Sequence, residues 1–148
     1  MKLENFDFSK KIFYHPDKIQ NYKDGKRPFP TTIEIDLTNN CNHKCSFCFY
    51  ADSIGRGGMP TLDTQIIKDR IKEMKELGVR GISFTGGGEP MLHPDFINIV
   101  KLSKKQGLDI GLITNGSAIN QKKVEDLNKN LTWIRVSMAG GDPESYQK

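Results

Sequence analysis

A strand pattern and a helix pattern alternate along this chain, and that alternation restricts its fold more than any other feature. Thr32-Ile33-Glu34-Ile35-Asp36-Leu37 alternates apolar and polar residues with β-branched enrichment, which predicts a strand. Ile66, Ile67, Ile71, Met74 and Leu77 then recur at helical spacing behind Thr61 or Asp63 as a cap, with Gly78 placed to close the helix. Arg80–Thr85 reads as a second strand. Pro94-Asp95 opens a helix with Phe96, Ile97, Ile99 and Val100 inward, ended by Gly107. Leu108–Thr114 is a third strand with Asn115-Gly116 as its turn, 121–128 a short helix, and Trp133–Ser137 a fourth strand with Trp133 read as core. Asp142-Pro143-Glu144 has the pattern of the next helix start.

A β-loop-α unit repeated in this way requires parallel strands joined by right-handed crossovers. Strand starts near 32, 81, 108 and 133 are about 49, 27 and 25 residues apart, where a βαβ unit needs about 30. Only the first interval is swollen. A closed (β/α)₈ barrel takes about 250 residues, so the expected fold is α/β, a partial parallel (β/α) barrel cut off after about four units. Residues 1–30 show no clean period and end in Arg27-Pro28-Phe29-Pro30, so they are read as an N-terminal extension, with 31–148 as the core domain, incomplete at its C-terminal end.

The swollen interval holds all three cysteines of the chain, Cys41, Cys45 and Cys48. Thiolates at C-x₃-C-x₂-C spacing can converge on one inorganic centre from a single loop. A fully ligated [4Fe–4S] cluster takes four cysteines; with three, one iron keeps an open position where a small molecule can bind. The odd count and the charged N-terminal residues, which form no leader-like apolar run, argue against a disulfide framework. A structural zinc ion on Cys41, His43, Cys45 and Cys48 is the rival. His43 is closer to its neighbours than zinc-ligand spacings usually are, and is read as a loop residue. Gly55–Pro60, after the cysteines, reads as a linker.

The net charge of +4 is mild and its lysines lie on expected helix faces, so solvated surface accounts for them. No basic stretch is interleaved with aromatic residues, so nucleic acid is not indicated as a partner. No apolar run approaches a membrane span. Reduced, closely spaced thiols fit a cytoplasmic location.

The loops at the C-terminal ends of the strands carry the chemistry in folds of this kind. Here they are the cysteine cluster, Gly86-Gly87-Gly88-Glu89-Pro90, Asn115-Gly116 and Ser137–Gly141. Every unusual feature of the sequence therefore falls on one rim. Three consecutive glycines lose backbone entropy on folding, so either a sharp turn or close backbone approach to a ligand needs their missing side chains. The pattern is neither G-x-G-x-x-G nor a P-loop. Its carbonyls and amides, with one carboxylate beside them, suit a cationic amine.

Cys41, Cys45 and Cys48, with Phe47 directly before the third cysteine and Gly87-Gly88-Glu89-Pro90 one βα unit later, resemble the radical S-adenosylmethionine (SAM) superfamily across about residues 31–148. The resemblance implies an enzyme in which the three cysteines hold a [4Fe–4S] cluster and SAM chelates the fourth iron through its amino and carboxylate groups. It implies that backbone atoms of Gly87, Gly88 and Glu89 receive the SAM amino group and that Phe47 packs near the adenine, its other reading being a loop anchor. Reductive cleavage would give methionine and a 5′-deoxyadenosyl radical that takes hydrogen from an unidentified substrate, with electrons from a donor such as flavodoxin or ferredoxin. Ser137 fits a position that meets the ribose or carboxylate of SAM, although Ala139 stands where an acidic residue is frequent. Asn115 can also face the cofactor, with a plain Asn-Gly turn as the stronger reading. His93 before Pro94 is read as setting the helix entry.

Three other readings stay open on the sequence. They are a fragment that keeps the signature without turnover, a zinc-stabilised α/β binding module, and an electron carrier whose cluster takes a fourth ligand from the protein, for which His43 is the nearby candidate.

Overall fold

The computed structural model describes residues 12–50, 60–142 and 144. The chain divides into two compact units, Met1–Pro30 and Thr31–Lys148. The first contains helix α1 (Pro16–Lys23), with proline at its start, Asp17 in its first turn and Lys23 in its last. No residue of α1 is buried. Lys18 Nζ donates to the Phe29 carbonyl at 2.9 Å.

The second unit runs β1 (Thr32–Asp36), α2 (Thr64–Glu76), β2 (Gly81–Thr85), a 3₁₀ turn (Pro90–Leu92), α3 (Phe96–Lys105), β3 (Asp109–Thr114), α4 (Gln121–Asn130) and β4 (Trp133–Val136). The four strands form one sheet in the order β1-β2-β3-β4, and every pair is parallel. Strands in sequence order, joined by right-handed crossovers, place successive helices on the same side of the sheet. This is the first part of a barrel wall, as the spacing predicts.

Side chains alternate across a strand, so the register assigns the faces. Ile33, Ile82 and Ile110 lie side by side, as do Ile35, Phe84 and Leu112. Phe84 meets Phe96 of α3 edge to face with ring centroids 5.8 Å apart, which marks this as the helix-covered face. Ile67 and Ile71 of α2, Phe96, Ile99 and Val100 of α3, and Leu127 of α4 complete the core with Val79 and Leu108. The opposite face carries Glu34 and Asp36 on β1, Ser83 and Thr85 on β2, Gly111 and Ile113 on β3, and Trp133 and Arg135 on β4. That polar face is the one a closed barrel would turn inward.

Helix ends follow the expected chemistry. Asp63 Oδ1 accepts from the amides of Gln65 and Ile66 at 2.8 and 3.0 Å, so Asp63, not Thr61, caps α2. At the other end Val79 N donates to Met74 O and Gly78 N to Lys75 O, closing α2 in the way the glycine predicts. Leu108 N to Ser103 O and Gly107 N to Lys104 O repeat the device on α3.

Several expectations need correction. Ile66 and Leu77 are exposed, not inward; the buried stripe of α2 is Ile67 and Ile71 with Met74 beside them, and Ile66 lies about 100° around the helix from Ile67. Trp133 is 45% exposed and is not core. It lies on edge strand β4, its ring covering Gly111 on β3. Asp95 is the N-cap residue of α3, as Pro94-Asp95 predicts, although its side chain makes no capping bond; the carboxylate accepts from Thr64 Oγ1 (2.7 Å) and Asn98 Nδ2 (3.2 Å). Helix α4 runs to Asn130, past the expected 128. The linker expected at 55–60 and the helix expected from 142 fall largely outside the described residues.

Candidate functional site

The loop that carries the cysteines leaves β1 and is closed at its neck. Thr38 and Thr61 form an antiparallel bridge, and Leu62 N donates to Leu37 O at 2.9 Å. The two threonine hydroxyls meet at 2.8 Å, and Asn40 N donates to Thr38 Oγ1 at 3.1 Å. Leu37 and Thr38 are buried. His93 fixes the far side of the neck. Its Nδ1 accepts from Asp95 N at 3.2 Å, so Nε2 carries the proton and donates to Leu62 O at 2.9 Å. Its own carbonyl accepts from Phe96 N at 3.1 Å. His93 therefore sets the entry to α3, as its place before Pro94 predicts. Hydrogen bonds from the Thr64 hydroxyl first, and from the Asn98 amide, hold the Asp95 carboxyl below its ordinary value.

Beyond the neck the three cysteines are half-buried and unpaired with one another. Cys48 N donates to Cys45 O at 3.1 Å, a turn that turns the chain back between the second and third thiols. Phe47 is 73% exposed, so it does not anchor the loop. Phe49 and Tyr50 stack edge to face, with centroids 5.5 Å apart.

The glycine loop is pressed directly against this neck. A Cβ on Gly88 would lie 2.6 Å from Thr38 O and closer still to Asn40 O, so no side chain fits there. Glu89 N donates to that same Asn40 carbonyl at 2.8 Å. Gly88 is thus required by contact between two loops of the protein, in addition to any approach by a ligand. Gly87 N donates to Asp36 Oδ2 at 3.1 Å, which ties the loop to the end of β1. The sequence reading missed Asp36, whose acidic side chain at the last strand position was the available signal.

Glu89 is buried, 2% exposed, and both oxygens of its carboxylate are hydrogen-bonded. Oε1 accepts from Met91 N at 3.1 Å and from the Thr114 hydroxyl at 2.6 Å, and Oε2 accepts from Asn115 N at 2.8 Å. Its carbonyl accepts from Leu92 N at 3.0 Å. The side chain therefore brackets the end of β2 to the end of β3. No hydrogen bond among the described residues uses the carbonyls of Gly87 or Gly88, which leaves two acceptors for a cationic amine.

The turn after β3 completes the arrangement. Asn115 Oδ1 accepts from Ser117 N at 2.9 Å, while Nδ2 donates to Asn42 Oδ1 at 2.8 Å and approaches Cys41 Sγ at 3.9 Å. His43 Nε2 and Ser117 Oγ share a hydrogen bond of 2.6 Å. Asn115 thus does more than turn the chain, and His43 is joined to the β3 turn. Ser137 follows the exposed strand β4, its amide donating to Thr114 O at 2.8 Å.

Three thiols on a loop whose base is packed on a glycine-rich neighbour suit a cysteine-held iron–sulfur cluster. His43 Nε2 is engaged by Ser117 Oγ, which weakens the Cys₃His zinc reading. The chain matches the family model described as the Radical SAM superfamily over residues 35–148.

It belongs to the radical SAM superfamily. The cofactors of this family are a [4Fe–4S] cluster and S-adenosylmethionine. The chain is 30% identical over 118 residues to the probable GTP 3′,8-cyclase of Thermococcus kodakarensis, covering 80% of this chain and 38% of that protein. It is 31% identical over 109 residues to the PqqA peptide cyclase of Gluconobacter oxydans, covering 73% of this chain and 30% of that one. The radical SAM chain thus spans between 30 and 38% of the length of these relatives. Among solved structures, Streptococcus suis SuiB bound to S-adenosylmethionine superposes with a TM-score of 0.70 at 23% identity, over 93% of this chain and 32% of SuiB. BtrN in complex with AdoMet and 2-DOIA gives a TM-score of 0.66 at 20% identity, over 81% of this chain and 55% of BtrN. These likenesses establish the partial (β/α) barrel.

Proposed function

We propose that this chain is the cofactor-binding part of a radical SAM enzyme. In this reading Cys41, Cys45 and Cys48 hold a [4Fe–4S] cluster, and the glycine loop receives SAM beside its open iron. The observation that carries it is the direct packing of Gly88 and Glu89 on the carbonyls of Thr38 and Asn40, immediately before Cys41. A ligand held by the glycine loop is thereby next to a centre held by the cysteines, as a proximity mechanism needs.

When bound, the cluster and SAM would supply reductive radical chemistry that takes hydrogen from a substrate. The residues of the chain bind and orient. The carbonyls of Gly87 and Gly88 accept from the SAM ammonium. Glu89 holds those carbonyls in place, its own polar groups being engaged within the protein. Phe47, exposed on the cysteine loop, packs on the adenine, and Ser137 at the end of β4 meets the ribose or carboxylate. The polar face with Glu34, Asp36, Ser83, Thr85 and Arg135 borders the substrate. An electron donor such as flavodoxin or ferredoxin reduces the cluster. Among the described residues no helix is long and apolar enough to cross a membrane, and closely spaced reduced thiols suit the cytoplasm.

Anaerobic reconstitution with iron and sulfide, followed by electron paramagnetic resonance of the reduced protein with and without SAM, tests this. A reduced-cluster signal that changes on adding SAM is expected. A signal indifferent to SAM, or zinc bound in place of iron, overturns the reading.

A further inference from the structure

One hydrogen bond at the site points past cofactor binding to its tuning. Asn115 reaches Cys41 across 74 residues of chain, and both ends of its side-chain amide are assigned by their partners. Oδ1 accepts from Ser117 N, so Nδ2 must face the other way. Nδ2, which has two protons to give, lies 2.8 Å from Asn42 Oδ1 and 3.9 Å from Cys41 Sγ, within hydrogen-bond reach of both. The same sulfur accepts from His43 N at 3.4 Å.

The amide is not free to swing away. Its backbone N–H is held by Glu89 Oε2 at 2.8 Å, and Thr114 beside it is held by Glu89 Oε1 at 2.6 Å. Gly116 N donates to Thr114 Oγ1 at 3.0 Å, and Ser117 Oγ is joined to His43 Nε2. A buried carboxylate on the glycine loop thus aims an amide at the first cysteine of the other loop. An ordinary Asn-Gly turn needs none of these long-range partners.

We infer that Asn115 is a positioning residue for the cluster, whose Nδ2 donates to the Cys41 thiolate and makes the cluster easier to reduce. The inference rests on the reading of Cys41 as a cluster ligand. Hydrogen bonds to cluster sulfurs are among the factors that set reduction potential. The physical reason is that a donor draws electron density from the thiolate and stabilises the more negative, reduced state.

The test uses the full-length protein, reconstituted anaerobically and titrated for its midpoint potential. Asn115→Leu removes the donor at similar size. Asn115→Asp keeps an acceptor for Ser117 N and puts negative charge in place of the donor. At wild-type iron and sulfide content, the midpoint should move to more negative potential in Asn115→Leu and further in Asn115→Asp. A second measurement needs no variant: in wild-type protein with isotopically labelled asparagine, pulsed resonance of the reduced cluster should show coupling to a side-chain amide nitrogen. Unchanged potentials at full cluster content, or no asparagine coupling in the wild type, overturn the inference while leaving the functional reading intact. A wild-type protein that takes up no iron and sulfide overturns both.

Discussion

The two loops of the site are built in opposite ways. The glycine loop is braced throughout: Gly87 to Asp36, Gly88 against Thr38 and Asn40, Glu89 to three donors on two segments. The cysteine loop is fixed at its neck and, through Cys41, Asn42 and His43, to the turn after β3; among the described residues Cys45 and Cys48 share a local backbone turn, and Phe47 stands out in solvent. Rigidity on one side and latitude on the other suit the division of labour. On the proposed reading, the glycine loop would present its carbonyls at fixed positions without help from a metal. The second and third cysteines would, on the same reading, gain their geometry from a bound cluster, because binding and local ordering are coupled.

That contrast can be broken most severely at Gly88. Gly88→Val places a side chain into the carbonyls of Thr38 and Asn40. It should destabilise the apoprotein by about 3 kcal/mol, the upper part of the overpacking range, and should reduce cluster content as well as SAM affinity. Chemical denaturation with iron analysis checks this; loss of SAM affinity alone would mean that the loops do not bear on each other.

A smaller effect is expected at the neck from Thr64→Val. Because the Asp95 carboxyl is held below its ordinary value chiefly by Thr64, ionised Asp95 stabilises the fold above the unfolded-state pKa of about 4. That contribution is lost as pH falls through the depressed value. The variant should therefore be less stable than wild type near pH 7, with the gap closing at acid pH. Denaturation at both extremes reads it, and a gap independent of pH would assign the Thr64 effect to packing.

The least effect on the apoprotein belongs to Cys45→Ala. A half-buried thiol on the softer loop should change apoprotein stability by no more than about 0.5 kcal/mol, yet the variant should not assemble the cluster. Full iron and sulfide in Cys45→Ala would remove it from the ligand set.

Much of this was legible without coordinates. The parallel sheet in sequential order follows from strand and helix periods alone, and Gly78 and Gly107 mark two helix ends correctly. The placing of the cysteine and glycine motifs on one rim follows as well. What was misread involves position relative to distant neighbours. Trp133 has a core composition, but its strand is at the sheet edge. Ile66 and Ile67 are alike in the sequence, and only packing against the sheet buries one of them.

By itself the sequence determined the elements, their order, the family and the three thiols, because caps, periods and closely spaced ligands are local chemistry. The tertiary structure decided which partners the polar groups take. Glu89 binds across 25 and 26 residues, Asp36 across 51, and Asn115 and His43 across 74. No local pattern records such pairs, since they exist only once parallel strands bring their C-terminal ends together. It is there that the Glu89 side chain becomes a bracket between loops, and that Asn115, read as a turn residue, comes to lie against a cysteine.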